Sequence, residues 1–418
     1  MTSALNLPTS QPAPSTTRDE ALASFHPSLQ PRLESFLRRE AAWGERFILD
    51  SPGRPQRLIR LDSNDYLNLT GHPRVVRAQQ AALEASEFVV QSGVFLGDGH
   101  PVRRFERDLA SYVGKDDVHL CGSGYAANLA LLQCIAGEEV PVYVDSLAHM
   151  SLWEGIRAAG ARPIAFRHND VSHLRRLVAR GGPGVVVVDS VYSGTGSVCP
   201  LLEVVQACED GACTLVVDES HSLGLYGPQG GGLCAELGLT HRVHHITASL
   251  AKAFAGRAGM YTAPACLRPY FMVTAYPTIF SSCLLPVEVA GLAETLQVLR
   301  ESDGARERLQ QAARAIRTGF AQAGFPVEEN SAHIICLEAG LEQRTMQLRD
   351  ELDARGVIGA IFAAPATAIA RSMLRLTVHA GLQERDLADI ARAAQEVAEL
   401  VQPWSWRSAR RQAFEPQV

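Results

Sequence analysis

Three short apolar runs in the middle of the chain, Val142-Tyr-Val-Asp145, Val185-Val-Val-Val-Asp189 and Leu215-Val-Val-Asp218, each end in an aspartate. Segments with helical patterning near 151–160, 172–180 and 200–210 lie between them. Strands that are apolar at almost every position are buried on both faces, and strands joined through helices run parallel. The pattern therefore predicts an α/β fold, with a mostly parallel sheet and helices on both faces. In such sheets ligands bind beyond the carboxyl ends of the strands, which is where all three aspartates fall.

A single core rarely grows past about 250–300 residues, so a chain of 418 is expected to hold a larger and a smaller unit. Residues 1 to about 20 are rich in Ser, Thr and Pro and read as a disordered lead. From Pro27 to Phe47 the residues Leu29, Leu33, Phe36 and Leu37 recur at helical spacing. These two stretches make an N-terminal arm, 1–60, ahead of a large ligand-binding domain at 61–285. After Pro286 the texture changes to a long helical segment reaching about Ala323, strands near 333–338 and 373–378, and a helix near 385–400. That predicts a smaller α+β domain at 286–403, followed by a polar, basic tail from Trp404 to which no role is assigned.

A net charge of −6 gives no reason to expect a nucleic-acid partner. The nine cysteines are odd in number, scattered and never spaced C-x-x-C, which reads as reduced thiols with no metal centre. No run of about 18 apolar residues and no signal-peptide pattern occurs, so a cytoplasmic protein without a membrane span is expected.

Of 39 basic residues only Lys115 and Lys252 are lysine. A chain that uses arginine almost wherever a positive charge suffices needs a reason to keep a lysine. Lys115 sits in the polar turn Gly114-Lys-Asp-Asp117, where chance exposure explains it. Lys252 sits among small and apolar residues in Thr247-Ala-Ser-Leu-Ala-Lys-Ala-Phe-Ala-Gly256. There a desolvated amine can lose its proton near neutral pH and attack a carbonyl, which arginine cannot do.

Other segments carry weaker signals. Gly122-Ser-Gly124 feeds a helix beginning at Tyr125, either as a plain helix-start turn or as a phosphate cradle. Asp218-Glu-Ser-His221 puts an acid at a strand end with an imidazole three residues on. The absence of a P-loop argues against nucleotide hydrolysis, whereas a buried aspartate can keep a pyridine nitrogen protonated. His149 follows another strand end, where a structural histidine competes with one stacked on a planar ligand. Ser193 and the Phe280-Ser-Ser282 run have only hydroxyls to recommend them. Gly230-Gly-Gly232 reads as a flexible turn first and a close backbone approach to a ligand second.

In this order the segments resemble the α-oxoamine synthases, a family of fold-type-I pyridoxal-phosphate enzymes. The resemblance runs from about Leu61 to Leu382, through Ser63-Asn-Asp-Tyr-Leu67, Gly122-Ser-Gly-Tyr-Ala-Ala-Asn128, Asp218-Glu-Ser-His221, Ser249-Leu-Ala-Lys252 and Leu374-Arg-Leu-Thr377. Within the family the chain is most similar to quorum-sensing autoinducer synthases, on Ala148-His-Met-Ser-Leu-Trp-Glu-Gly155, Thr247-Ala-Ser-Leu-Ala-Lys252 and Tyr276-Pro-Thr-Ile-Phe-Ser-Ser282. It departs from the family pattern at Val102, often histidine, and at Ala255 and Ala258, often glycine.

The resemblance implies that Lys252 carries pyridoxal 5'-phosphate covalently and that Asp218 pairs with its pyridine nitrogen. It implies that His149 stacks on the ring, that Ser193 and His221 meet the phenolic oxygen, and that Gly124, Tyr125 and Ser249 hold the phosphate. It also implies a homodimer with shared sites, Ser282 reaching in from the second subunit, with Arg375 on the substrate carboxylate and Asn64 near the substrate. The reaction expected is a decarboxylating condensation of 2-aminobutyrate or S-adenosylmethionine with a medium-chain acyl-CoA such as decanoyl-CoA. An aminotransferase of the same fold and a catalytically silent scaffold subunit are the two rivals.

Overall fold

The computed structural model describes residues 17–43, 55–85, 91–328, 332–364 and 366–406. Residues 17–43 form the helices Arg18–Ala23 and Gln30–Trp43, with a 3-10 turn at Pro27–Leu29 between them. Thr17 caps the first: its hydroxyl accepts from the Glu20 amide at 3.3 Å while the Glu20 carboxylate accepts from the Thr17 amide at 2.8 Å. This reciprocal cap starts a helix inside the stretch expected to be disordered, whose residues 1–16 lie outside the described residues. The helix expected from Pro27 to Phe47 is present as far as Trp43, and 44–47 lie outside the described residues.

Residues 55–406 carry the strands β1 (Ile59–Arg60), β2 (Asp117–Cys121), β3 (Val142–Asp145), β4 (Pro163–Phe166), β5 (Val185–Asp189) and β6 (Thr214–Asp218). They continue with β7 (His245–Ser249), β8 (Gly259–Ala263), β9 (Ile334–Gly340), β10 (Val357–Ile358), β11 (Ala360–Phe362) and β12 (Ser372–Thr377). Seven of them make one sheet in the order β2-β8-β7-β6-β5-β3-β4. Within it β8 runs antiparallel to both neighbours and the remaining pairs are parallel. The expected mostly parallel sheet is thus present.

Period-two alternation explains why its strands read as unbroken apolar runs. In β5, Val185 and Val187 pack with Leu131, Leu132 and Leu152 on one face. Val186 and Val188 pack with Leu201, Val205 and Leu174 on the other. The helices Met150–Ala158, Val171–Gly181 and Leu201–Asp210 connect these strands, within two residues of the spans read from sequence.

The segment after Pro286 is two helices, Pro286–Arg300 and Asp303–Gln322, rather than one. At the break, the Ser302 hydroxyl donates to the Val298 carbonyl at 2.6 Å and Arg306 donates to the Leu299 carbonyl at 2.8 Å. Side chains there take carbonyls that a continuing helix would have used. Beyond it β11-β12-β9 form an antiparallel sheet, and β1 pairs in parallel with β10. The tail is not without structure at its start. Trp406 is buried against Phe325, ring centroids 5.7 Å apart, and its Nε1 donates to the Val401 carbonyl. Residues 407–418 lie outside the described residues. Among the described residues no helix is long and apolar enough to cross a membrane.

Candidate active site

The carboxyl ends of β3, β5, β6 and β7 open onto one cleft. It is lined by Gly124, Tyr125, Asn128, His149, Ser151, Asp189, Asp218, Ser220, His221, Ser249 and Lys252. Parallel pairing puts Asp189 and Asp218 side by side, since they are register partners at the ends of β5 and β6. Asp145, the third strand-end aspartate, faces elsewhere. It accepts from His168 Nδ1 at 3.0 Å and from the amides of Leu147 and Asn169, so it ties loops together.

Lys252 lies in the turn that follows β7, closed by the Ala255 amide on the Lys252 carbonyl at 2.8 Å and the Gly256 amide on that of Leu250 at 3.1 Å. Burial pushes its ammonium below the ordinary lysine range, the nearby Arg375 adds to this, and Asp218 opposes it. The amine is thus held toward its neutral, nucleophilic form. Ala255, one of the departures noted above, sits at φ 48, a left-handed conformation that glycine adopts without steric cost. Lys115 is not exposed by chance. It is half-buried, and its Nζ donates to the carbonyls of Thr240 at 2.7 Å and of Val243, joining two loops.

Asp218 is buried, and its carboxylate is fixed by two donors: Asn128 Nδ2 at 2.7 Å and the Ser220 amide at 2.8 Å. Asn128 also reaches Ser151 at 2.9 Å. Asp189 accepts the His149 amide at 3.1 Å on one oxygen, while the other has no partner. Burial, followed by the charges of Asp218 and Asp145, raises its carboxyl well above the usual range. His149 has the structural role weighed for it and also faces the cleft. It caps the helix that starts at Met150, with Nδ1 2.7 Å from Ser151 Oγ, and it lines the cleft. Burial lowers its basicity. His221 is buried beside Tyr66, Nδ1 to hydroxyl 2.6 Å, and desolvation drives it well below the ordinary imidazole value.

The anion end is built by close backbone approach. Ser123 caps the helix Gly124–Ile135, accepting from the Ala126 amide at 3.1 Å, and the amides of Gly124 and Tyr125 belong to the first turn, which has no intrahelical acceptor. A Cβ on Gly124 would stand 2.5 Å from Ser249 Cβ, and one on Gly259 would stand 2.2 Å from the Ser123 carbonyl oxygen. An amine, a clamped carboxylate and a helix N-terminus in one cleft are the features pyridoxal phosphate needs. The unpartnered oxygen of Asp189 leaves a polar position there unfilled, so the residues present fit the group.

Four expected site residues, Ser193, Ser282, Arg375 and Asn64, lie off this cleft. Ser193 is half-buried in the turn after β5 and is not among the lining residues. Ser282 is exposed, bridges to Ser92, and borders a separate hollow with Arg103 and Glu106. Arg375, on β12, is buried, with Nη2 donating to Asn64 at 3.1 Å and to the Tyr66 hydroxyl at 3.4 Å and Nε unpartnered. It and Asn64 therefore meet the cleft through Tyr66 and His221. The Gly230–Gly232 run is no ligand contact either. A Cβ on Gly232 would lie 2.0 Å from Glu219 Oε2, so the carboxylate this backbone approaches is the protein's own.

Sequence reasoning gave no role to Asn128, Ser151, Ser220 or Tyr66. Asn128 and Tyr66 stand inside the quoted motifs, so position alone could have flagged them.

The class I and II aminotransferase family model matches residues 56–393. The CAI-1 autoinducer synthase of Vibrio campbellii is 45% identical over 82% of this chain and 88% of that protein. The 8-amino-7-oxononanoate synthase of Mycolicibacterium gilvum is 33% identical over 79% and 87%. Among solved structures, the serine palmitoyltransferase of Sphingomonas wittichii superposes with a TM-score of 0.84 at 22% identity, covering 90% of this chain and 98% of that one. With fold, site geometry and relatives in agreement, the chain belongs to the class I and II aminotransferase family and, within it, to the α-oxoamine synthases, pyridoxal-phosphate-dependent enzymes of fold type I.

Proposed function

We propose that the protein joins the α-carbon of an amino acid to the acyl carbon of an acyl-CoA, releasing CO2 and free CoA and leaving a long-chain α-amino ketone, an autoinducer precursor. The amino acid is 2-aminobutyrate or S-adenosylmethionine, and the acyl donor is a medium-chain CoA such as decanoyl-CoA. The observation that carries the reading is the margin of similarity: 45% identity to an autoinducer synthase against 33% to an 8-amino-7-oxononanoate synthase.

The side chains divide the work. Lys252 would hold the cofactor through Nζ, and the same atom accepts the Cα proton and returns it at the end. Pyridoxal phosphate, when bound, supplies an electron sink for the bonds broken at Cα. Asp218, held still by Asn128 and Ser220, would pair with the pyridine nitrogen. His149 covers one face of the cleft and His221 offers a hydrogen bond to the phenolic oxygen. The first-turn amides at Gly124 and Tyr125, with Ser249, take the phosphate. Arg375 binds the substrate carboxylate beside Asn64, and Ser193 offers its hydroxyl to the phenolic oxygen.

The unit is a cytoplasmic homodimer with shared sites. Ser282 is exposed beside Phe280, Tyr276 and Phe95, three large apolar residues at 78%, 60% and 75% exposure, an apolar patch suited to covering by a second copy. Segments 61–285 and 286–403 act as its large and small domains, in keeping with the seven-stranded sheet lying in the first and β9-β12 in the second.

Free CoA thiol released from purified protein, with each amino acid and a series of acyl-CoAs, tests the reading, with the amine product identified by mass spectrometry. We expect release to require both substrates and to favour medium chains. A 2-oxo acid formed at turnover rates without acyl-CoA would make the protein an aminotransferase, and no CoA release from any pair would make it a silent subunit.

A further inference from the structure

The Tyr66 hydroxyl is the group that joins the two halves of the site. It lies 2.6 Å from His221 Nδ1, 3.4 Å from Arg375 Nη2 and 3.3 Å from Asn64 Oδ1. Arginine can only donate, so Arg375 occupies a lone pair of the phenol oxygen, and the phenol hydrogen must go elsewhere. Two acceptors are in reach. Asn64 Oδ1 already receives Arg375 at 3.1 Å, and its contact with the phenol is the longer by a wide margin. A separation of 2.6 Å is short even for a hydroxyl donor, and it selects His221.

We propose that Tyr66 is a positioning residue: by donating to His221 Nδ1 it fixes the imidazole as the tautomer that carries its proton on Nε2, leaving that N–H to point at the cofactor's phenolic oxygen. The part concerning the phenolic oxygen rests on the function proposed above, whereas the tautomer is a property of the protein alone. The surroundings keep both partners in the required states. His221 faces Lys252, Arg375, His333 and His149, and burial together with the two cations disfavours a second proton on the ring. Tyr66 is fully buried, and desolvation holds its phenol up at about 12 against the nearby Arg375, so it remains a donor; Tyr226 is the other titratable group facing it. The tyrosine ring is itself held edge-on to buried His333, centroids 4.2 Å apart at 69°. Removing only the hydroxyl therefore leaves this packing in place.

The test is side-chain nitrogen NMR on full-length protein with ring-15N histidine, with and without pyridoxal phosphate. The His221 signal is identified by its loss in His221→Gln. Wild type is expected to show His221 protonated on Nε2 alone, and Tyr66→Phe to populate both tautomers within a few-fold of each other. In the cofactor-loaded Tyr66→Phe protein the pH midpoint of the visible absorption band should move by about one unit, the scale of a single hydrogen bond to an ionisable partner. A wild-type His221 protonated on Nδ1, or a tautomer ratio unmoved by Tyr66→Phe, would overturn the proposal. If the tautomer behaves as expected but the absorption midpoint does not move, the fault lies with the placement of the phenolic oxygen, and the tautomer assignment stands.

Discussion

His245, at the start of β7, shows how one buried side chain couples this fold to pH. Its Nδ1 is 2.8 Å from the Thr262 carbonyl, and burial brings its pKa down to about 4, the hydrogen bond to Thr262 acting the other way. An unfolded imidazole titrates near about 6.5. Below that value the unfolded chain takes up a proton that the fold refuses. The stabilisation is therefore complete above about 6.5 and is lost as pH falls toward about 4, with roughly 2 kcal/mol going between pH 7 and 5. Urea unfolding of His245→Gln at pH 7, 6 and 5 should show an acid loss smaller than wild type by about that amount. Equal acid slopes would contradict it. Glu219 works in the opposite sense, since burial raises its carboxyl to about 7 and it favours the fold as pH drops from there. At this scale the sequence was informative about Lys252 and Asp218, which residue type and position after a strand marked as candidates and which the fold brings into one cleft. It was silent on Tyr66, whose meaning depends on His221 and Arg375 far along the chain.

At the scale of elements, the turn Gly122-Ser-Gly124 and the start of β8 show what local pattern leaves out. The two glycines look equivalent in sequence, yet a Cβ on Gly122 meets nothing within 4 Å, while Gly124 and Gly259 have no room for one. The constraint comes from Ser249 at the end of β7 and from β8 passing against Ser123, which no reading of the local motif reveals. We expect Gly259→Ala to cost about 1–3 kcal/mol of stability and at least a tenfold loss of pyridoxal phosphate affinity, by denaturant unfolding and absorbance titration. Gly122→Ala should leave both within about 0.5 kcal/mol of wild type. Equal losses in the two variants would sink this account of the phosphate turn. The same limit explains the short β1, β10 and β11. They have too few residues to show a period, and they exist because the fold brings them partners, β1 and β10 pairing with each other and β11 with β12. The long runs in β3, β5 and β6 were legible because burial on both faces writes itself into every position.

At the scale of the whole molecule, the site is assembled from segments scattered from Asn64 to Arg375: strand ends of the seven-stranded sheet bring the cleft residues together, and Arg375, on β12 of the three-stranded sheet, and Asn64 reach the cleft through Tyr66 and His221. Chain order predicted that convergence for the strand ends at Asp145, Asp189 and Asp218; Asp189 and Asp218 line the cleft, whereas Asp145 faces elsewhere. Chain order did not predict that Ser193 and Ser282 would lie off the cleft, because the place of a turn residue is set by tertiary packing and, for Ser282, by the second copy that we propose. The central claim is that the amine of Lys252 and the carboxylate of Asp218 share one shielded cleft and hold pyridoxal phosphate between them. With only two lysines in 418 residues, the claim has an unusually clean test. Protein loaded with pyridoxal phosphate is reduced with borohydride, digested, and mapped by mass spectrometry. The account predicts a pyridoxyl label on the peptide containing Lys252 that disappears in Lys252→Ala; a label on Lys115 instead, or one undiminished in Lys252→Ala, would contradict it.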